Sequence, residues 1–298
     1  MKIALIIQRP QPRGQEIFAS LLGNWHISKG HEVLLLSLFE GDFPLPFNGK
    51  QCSLNWKSEG FWKIPSRLFR FFKTLKAFDP DIIQANGGDT LKFAVLARLT
   101  FSFSGKLIFN NGGVVGYYLR SALQKRFYQF LLRGLDGIIS ISKYSELDIQ
   151  SLIKPSVPQT RIPIGLETDR AYSLADPIPN PIFVHIGGFT PEKNHAFLLE
   201  LFEKYRTQNP KSQLWLIGEG SDKKQMEMKV ASMDESNIRF FGAHKDPWSL
   251  VPENAILLLP SSIEGMPSVI AEAFLAKIPV IASPVGGIPE MVEGFPTC

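Results

Sequence analysis

Residues 260–287, with the sequence PSSIEGMPSVIAEAFLAKIPVIASPVGG, decide the fold class. The apolar run 256–259 just before them predicts a buried strand, which passes into a polar loop over 261–266. Pro267 follows at a position where its fixed φ suits the start of a helix, and apolar residues continue that helix over 268–277. A second strand is predicted at 280–282. Strand, loop, helix and strand in this order are typical of a parallel α/β sheet.

The start of the predicted helix is a candidate phosphate site. A helix N-terminus has unpaired backbone N–H groups and partial positive charge, so the amides near residues 266–269 suit a diphosphate. Glu272 lies about five residues inside the helix, roughly 7 Å along its axis, where the ribose of a nucleotide would lie. We expect Glu272 to accept hydrogen bonds from ribose hydroxyls, and Glu264 to face the group beyond the phosphate. The simpler interpretation, two solvated surface carboxylates, is disfavoured by the strand–loop–helix context.

The rest of the chain alternates short β-rich apolar runs with longer amphipathic runs, which predicts two Rossmann-like halves. Prolines are dense between residues 155 and 181, and they disfavour long helices and interior strands. We therefore predict domains at 1–175 and 176–298. A stretch rich in glycine, proline and phenylalanine, 40–60, is expected to be a loop. The predicted strands are 3–7, 33–38, 81–84, 106–109 and 137–140 in the first half, and 182–186, 213–217, 238–241, 255–259 and 280–282 in the second.

Composition excludes several function classes. The chain has 298 residues, 20% of them charged, and a net charge of +4, which suits an anionic ligand without indicating nucleic acid. The five histidines and two cysteines show no metal-ligand spacing, so we expect no metal and no cofactor. The apolar run at the N-terminus is too short for a signal peptide, and no stretch is apolar enough to span a bilayer. The sequence therefore predicts a soluble, cytoplasmic protein.

The pair Glu264 and Glu272, followed by Pro-Val-Ile-Ala at 279–282 and by Gly286 and Gly287, resembles the family 4 retaining glycosyltransferases of GT-B fold. Weaker matches occur in the family's order, at 13–16, 164–167, 185–194, 216–220 and 240–242. The resemblance implies two Rossmann-like domains that face a cleft, with the acceptor on the N-terminal side and the donor on the C-terminal side. It also implies transfer of a sugar from a nucleotide-diphosphate sugar to an acceptor hydroxyl with retention, in polysaccharide, lipopolysaccharide or glycolipid synthesis.

The resemblance also assigns roles to residues. Lys193 is the expected main cation for the leaving diphosphate, and Glu264 and Asn111 complete the expected catalytic set. Taken alone, Lys193 is equally well an exposed loop lysine, and Gly14 an ordinary turn glycine. Acceptor contacts are expected from residues 86–90 and 110–117, for a carbohydrate or a lipid-linked acceptor. The donor-binding residues implied are Gly14, Gly187, Gly188, Lys193, Gly218, Glu264, Gly265, Met266, Pro267, Ser268, Val269 and Glu272.

Three departures from the family pattern leave alternatives open. Gly188 stands where the family commonly has an arginine, and Asn111 lies in a loop that often carries a histidine. The chain also ends at Cys298, where family members continue, so we expect an incomplete, truncated second domain. A non-catalytic nucleotide-sugar-binding remnant is therefore the second hypothesis. A GT-B epimerase that converts the nucleotide-sugar without an acceptor is the third.

A predicted helix over 64–78 suggests a further partner. Lys63, Arg67 and Arg70 fall on one of its faces, and Phe61 and Trp62 come just before it. Such a helix docks on an anionic membrane, although a solvated helix face is the simpler interpretation. A lipid-linked acceptor would favour peripheral contact with the inner face of the membrane.

Overall fold

The computed structural model describes residues 1–57, 64–101, 103–153, 157–166, 172–233 and 237–293. The chain forms two compact units, Met1–Pro163 and Ile164–Cys298. The segment around Ala175, predicted to belong to the first domain, goes with the second unit. The Ala175 amide donates to the Val251 carbonyl at 2.8 Å, and the Ala175 carbonyl accepts from the Glu253 amide at 3.0 Å. The boundary between the units thus lies inside the proline-rich segment, between Pro163 and Ile164, rather than near its end.

The first unit is built on a seven-stranded parallel sheet with the strand order β3-β2-β1-β4-β5-β6-β7. Apart from the two strands at its edges, its strands are buried apolar runs, as the sequence predicted. The strands are β1 Lys2–Ile7, β2 Glu32–Phe39, β3 Lys50–Trp56, β4 Ile82–Asn86, β5 Lys106–Asn111, β6 Gly137–Ser140 and β7 Gln159–Arg161. The helices are α1 Gly14–Ser28, α2 Ile64–Phe78, α3 Gly88–Phe101, α4 Val115–Tyr118, α5 Ala122–Arg133 and α6 Lys143–Leu152.

Two strands at the edges of this sheet were not predicted. The expectation of a loop throughout 40–60 is wrong, because β3 lies inside it and pairs with β2. An edge strand pairs on one side only and can keep polar residues. In β3 only Leu54 and Trp56 are buried, so its sequence lacks the apolar run that identified the other strands. The short strand β7 forms within the proline-rich segment for the same reason.

The helices cover the sheet unequally. Core residues of α2, α3, α5 and α6 join one large apolar cluster on one face, while α1 packs through Ala19 against the opposite face. Arg67 of α2 belongs to this buried layer. Its side chain is only 6% exposed, and its guanidinium carbon lies 5.3 Å from the centre of the Trp56 ring. The prediction that Arg67 contributes to a charged outer face is therefore wrong, and Phe61, Trp62 and Lys63 lie outside the described residues.

The second unit is built on a five-stranded parallel sheet with the order β10-β9-β8-β11-β12. Every strand predicted for this half is present, so the α/β fold class with two parallel sheets, the second smaller, is confirmed. Among the described residues, no helix combines the length and apolarity that crossing a bilayer requires. The strands are β8 Ile182–Ile186, β9 Gln213–Ile217, β10 Ile238–Gly242, β11 Ala255–Leu259 and β12 Val280–Ala282, and the helices are α7 His195–Gln208, α8 Lys223–Ser232, α9 Ser268–Leu275 and α10 Ile288–Val292.

Candidate functional site

The strand order of the second unit determines where a ligand can bind. From β8 the chain adds β9 and β10 on one side, and it then returns to place β11 on the other side of β8. Ligands of open α/β sheets bind at such a reversal, beyond the carboxyl ends of the two strands. The loops that follow β8 and β11 meet there, since the Ser262 amide donates to the Glu192 carbonyl at 2.8 Å. These loops carry most of the donor-binding residues that the sequence predicted.

Lys193 and Glu264 form an ion pair at this reversal. The Lys193 Nζ donates to Glu264 Oε1 at 2.6 Å, and the Ser261 hydroxyl donates to the same oxygen at 2.6 Å. The side chains are only 18% and 10% exposed, respectively. Lys193 ends a 3-10 turn, Pro191–Lys193, and Asn194 follows in the left-handed conformation before α7 begins. The structure thus brings together the two residues of the second unit that were predicted to be catalytic.

The backbone of the Glu264 loop is held by a glycine. Gly286 has a φ of +59°, and a Cβ there would overlap the Glu264 carbonyl oxygen. The next amide, that of Gly287, donates to this oxygen at 3.2 Å. Only glycine adopts this conformation and permits this approach without strain. The Gly286–Gly287 pair of the sequence motif therefore has a structural function, which is to fix the loop that carries Glu264.

The start of α9 has the geometry expected of a phosphate site. Pro267 is the N-cap residue, with a φ of −74° and a ψ of 113°, and it has no side-chain oxygen with which to cap the helix. The Ile270 amide is the first that bonds back, to the Pro267 carbonyl at 3.1 Å. The amides of Ser268 and Val269 precede it, at the positive end of the helix dipole. Gly265 and Met266 lead into this turn, Gly265 buried and Met266 half-buried.

Glu272 is oriented by a residue that the sequence did not indicate. Its Oε2 accepts a hydrogen bond from the Trp248 indole nitrogen at 2.8 Å. Trp248 is 1% exposed and lies in the 3-10 turn Pro247–Leu250, which precedes β11. A buried indole N–H needs an acceptor, so this bond fixes both the ring and the carboxylate. The only signal available in the sequence was the tryptophan itself, because no spacing rule connects residues 248 and 272.

Two glycines let the loop after β8 approach the loop after β9. Gly218 has a φ of +151°, and a Cβ on it would overlap the Gly187 carbonyl oxygen. The Gly187 amide in turn donates to the Ile217 carbonyl at 3.0 Å. Gly188 differs, since a Cβ there would meet its nearest neighbour, the Glu219 carbonyl oxygen, at an ordinary 3.7 Å. The backbone at Gly188 therefore accepts a Cβ without a clash.

Two neutral histidines underlie the loop after β8. His185 is fully buried, with its Nδ1 2.9 Å from the Leu258 carbonyl oxygen, and its ring contacts His195 at a centroid distance of 4.6 Å. Burial, with a smaller contribution from the charge of His195, lowers the pKa of His185 to about 3. Burial, with a smaller contribution from the charge of Lys193, lowers the pKa of His195 to about 4. The interpretation of His185 as a satisfied core residue is half right, because its Nε2 has no hydrogen-bond partner among the described residues.

The predicted site residues of the first unit have their own polar setting. Gly14 is exposed and begins α1, directly after the loop that follows β1. Asn111 is the last residue of β5, 2% exposed, and its side-chain amide donates to the Ser145 carbonyl at 3.4 Å. Gln15 was missed, although its Nε2 is buried and has no partner among the described residues. A Cβ on Gly87 or Gly112 would lie within 3.3 Å of the Gln15 side-chain amide.

The predicted acceptor-contacting stretches, 86–90 and 110–117, are only partly loops. Asn86 and Asn110 are both buried in strands, and the Asn110 side-chain amide donates to Asn86 Oδ1 at 3.0 Å. Across the parts of the chain that the structure describes, no group of three histidine, cysteine, aspartate or glutamate side chains could hold a metal ion.

Family models match both halves of the chain. One described as Glycosyltransferase Family 4 matches residues 12–170, and one described as Glycosyl transferases group 1 matches residues 180–296. An uncharacterized glycosyltransferase of Methanocaldococcus jannaschii is 23% identical over 243 residues, which cover 74% of this chain and 60% of that protein. The sulfoquinovosyl transferase of Arabidopsis thaliana is 25% identical, over 88% of this chain and 55% of that protein. The chain thus spans little more than half the length of these relatives.

Solved structures show the same fold. The Anabaena protein HepE, in complex with UDP and glucose, has a TM-score of 0.80 at 18% identity. Sucrose-phosphate synthase from Thermosynechococcus elongatus has a TM-score of 0.80 at 22% identity. Each comparison covers 98% of this chain and 83% of the other.

Proposed function

The chain belongs to glycosyltransferase family 4 and has the GT-B fold, and we propose that its second unit binds a nucleotide-diphosphate sugar whose sugar is transferred to an acceptor hydroxyl. We further propose that the sugar is a hexose, that its anomeric configuration is retained, and that the product is a polysaccharide, a lipopolysaccharide or a glycolipid. The acceptor is a carbohydrate or a lipid-linked sugar.

The observation that carries this proposal is the orientation of Glu272 relative to the α9 helix start. The Trp248 indole donates a hydrogen bond to one oxygen of the Glu272 carboxylate. Among the described residues, Trp248 is the one side chain that bonds to Glu272. The other oxygen is available to ribose hydroxyls. Glu272 is the fifth residue of α9, so it lies about 6 Å along the axis from the free amides of the first turn. A nucleotide with its diphosphate on those amides places its ribose at that distance.

Lys193 supplies the positive charge for the reaction. When the bond between sugar and diphosphate breaks, negative charge builds on the leaving phosphate, and a positioned donor in a partly buried site stabilises it strongly. Lys193 is partly buried and held 2.6 Å from Glu264. We propose that, when the donor binds, the Lys193 ammonium leaves Glu264 and donates to the diphosphate instead, and that Glu264 then faces the sugar. Lys193 and the amides of α9 neutralise the diphosphate without a metal ion, so we expect activity to survive chelation.

Donor binding is tested by a thermal-shift screen against UDP-, GDP- and ADP-sugars. A ligand at a hundred times its dissociation constant adds about 2.7 kcal/mol to the free energy of unfolding, so the melting temperature rises measurably. We expect Glu272→Ala to lose this shift. The matched control is Glu253→Ala, which removes an exposed carboxylate outside the site and should keep it. A full shift with Glu272→Ala would refute the ribose assignment.

Gly188 favours a second candidate, a protein that binds the donor but turns it over poorly. A single positioned hydrogen-bond donor at a developing anion contributes about 3–4 kcal/mol, a factor of 10² to 10³ in rate, and we take this as the scale for a missing cation. Because a Cβ at Gly188 meets no clash, we propose that Gly188→Arg supplies such a cation. We expect wild-type protein to release nucleotide diphosphate slowly from the donor, and Gly188→Arg to release it faster. Binding without release in both proteins would favour the non-catalytic candidate.

A further inference from the structure

Three neighbouring helices of the first unit share one outer face. Helix α2 contacts α3, and α3 contacts α5. All three place their apolar residues in the same core cluster on one side of the sheet. Their remaining side chains therefore point away from the sheet as a single layer, which we call the α2–α3–α5 face.

This face exposes large apolar side chains. Leu123 is 78% exposed, Phe130 50% and Phe127 39%, and their spacing of four and three residues aligns them in one stripe along α5. Phe69 of α2 and Leu99 of α3 are 55% and 58% exposed. Single exposed apolar residues are normal on protein surfaces, but a stripe with neighbours on adjacent helices indicates a binding surface.

The apolar surface continues into a groove of about 480 Å³ beside α5. Its walls include Phe93 and Leu96 of α3, Leu119, and Phe127 of α5. Lys92 lies at the same groove, where its Nζ is 3.0 Å from Asp89 Oδ1. The groove adds recessed apolar area to the exposed stripe, with the Lys92–Asp89 ion pair at its margin.

Two of the three helices, α2 and α5, carry charge of one sign. Helices α2 and α5 together contain seven lysines and arginines and no aspartate or glutamate. Arg70, Lys73, Lys76, Lys125, Arg126 and Arg133 are the exposed ones. On a helical wheel Arg126 and Arg133 flank the apolar stripe of α5. A basic row beside an apolar stripe complements an anionic membrane surface, because the lysines and arginines meet headgroup phosphates while the rings enter the boundary with the acyl chains.

Helix α7 of the second unit shows that apolar exposure alone does not make this pattern. It also exposes apolar residues, Phe197, Leu201 and Tyr205. There, however, Glu200 and Glu203 are interleaved with them, so carboxylates would face the lipid phosphates. The α2–α3–α5 face differs because its exposed apolar residues lie beside two helices, α2 and α5, that carry basic residues and no acidic ones.

We propose that the α2–α3–α5 face docks the protein on a bilayer that contains anionic lipid, with the stripe of α5 at the boundary between headgroups and acyl chains. Two signals are needed for stable peripheral binding, and this face has both, an apolar one and a polybasic one. The proposal does not rest on the transfer reaction, so the failure of either proposal leaves the other standing.

The test is co-sedimentation of the full chain with vesicles of phosphatidylcholine alone, and with vesicles in which about a third of the lipid is phosphatidylglycerol. We expect binding to the anionic vesicles only, and a decrease with rising salt as the surface charge is screened. Lys125→Glu/Arg126→Glu should reduce the partition coefficient roughly thirtyfold or more, since each basic residue near the surface contributes a factor of about five. The matched control Lys204→Glu/Lys211→Glu changes the net charge equally at exposed positions of the second unit, and it should bind as wild type does.

A second variant tests the apolar signal. Leu123→Ser/Phe130→Ser removes exposed side chains and should fold normally, which circular dichroism verifies, while binding to anionic vesicles falls. Equal binding to both kinds of vesicle, equal loss in the charge-reversed and control variants, or no binding at all would overturn the proposal. Self-association that is abolished by Lys125→Glu/Arg126→Glu, in the absence of vesicle binding, would overturn it as well and would identify the face as a dimer interface.

Discussion

Replacing Lys193 should destabilise the protein through the charge it leaves behind. In Lys193→Met the carboxylate of Glu264, 10% exposed, keeps the Ser261 hydroxyl as a donor but loses the ammonium 2.6 Å away. Breaking a fully buried pair in this way costs about 3–5 kcal/mol. Because both side chains retain some exposure, we expect about 2–3 kcal/mol here, after discounting for solvent screening.

A double-mutant cycle isolates the interaction. Glu264→Gln keeps an oxygen for Ser261 and removes the negative charge, so the double variant Lys193→Met/Glu264→Gln contains no unpaired charge. Its loss of stability should be smaller than the sum of the single losses, with a coupling energy of about 1–2 kcal/mol. Lys204→Met, at an exposed position of α7, serves as the control and should lie within about 0.5 kcal/mol of wild type.

The assay is urea-induced unfolding, followed by tryptophan fluorescence, in the absence of any nucleotide. The comparison is valid where the slope with denaturant is the same for all variants, because a change in slope signals a change in the unfolding reaction itself. If Lys193→Met cost no more than Lys204→Met, or if the two single losses simply added, the ion pair would not be formed and the reasoning about the donor site would fail with it.

Three further predictions concern other features of the fold. Gly286→Ala should lower the free energy of unfolding by several kcal/mol and abolish donor binding, because its Cβ would overlap a backbone oxygen. The control Gly30→Ala, with a φ of +81° and open space around it, should lose only about 1–2 kcal/mol to backbone strain. Thermal melts compare the two variants. Glu16 is 4% exposed, and burial raises the pKa of its carboxyl group. The stability that Glu16 contributes is therefore present at low pH and is lost as the pH rises through the folded-state pKa. Glu16→Gln should melt above wild type at pH 8, and the difference in melting temperature should vanish in acid. The pKa values of His185 and His195 are lowered to about 3 and 4. The protein should therefore be fully stable above pH 6.5, and below it the free energy of unfolding should fall by up to about 1.4 kcal/mol per pH unit for each histidine. A His195→Phe variant whose melting temperature fell as steeply as that of wild type between pH 6.5 and 5 would contradict this.

The sequence predicted those parts of the fold that depend on local pattern. Buried parallel strands need continuous apolar runs, so β8, β9 and β11 were visible, and the position of Pro267 indicated the start of α9. The strands β3 and β7 were missed, because edge strands tolerate polar residues.

The sequence could not reveal what depends on contacts between distant residues. Arg67 lies on the basic helix α2, and yet it packs over Trp56 of the edge strand β3. Trp248 orients Glu272 across 24 positions, and the ring of His195 stacks on Phe189 at a centroid distance of 4.1 Å. A helical wheel or a motif describes one segment at a time, whereas each of these contacts arises when two segments pack. Candidate ligand-binding residues were therefore predictable by type, but the residues that orient them were not.

The ion pair at the proposed donor site also constrains how that site can work. Without a ligand, the ammonium of Lys193 is already neutralised by Glu264, so the side chains of this pair present little net charge to an arriving diphosphate. We therefore expect the helix amides at Ser268 and Val269 to provide the first attraction, since no side chain of the described residues caps this helix. Lys193 can turn to the diphosphate only at the expense of its bond to Glu264, and Ser261 still donates to the carboxylate when that bond breaks. The loop after β8 has glycine at position 188, so it offers no second cation for the diphosphate besides Lys193. Replacing Lys193 should therefore reduce donor affinity more in this protein than in its Gly188→Arg variant.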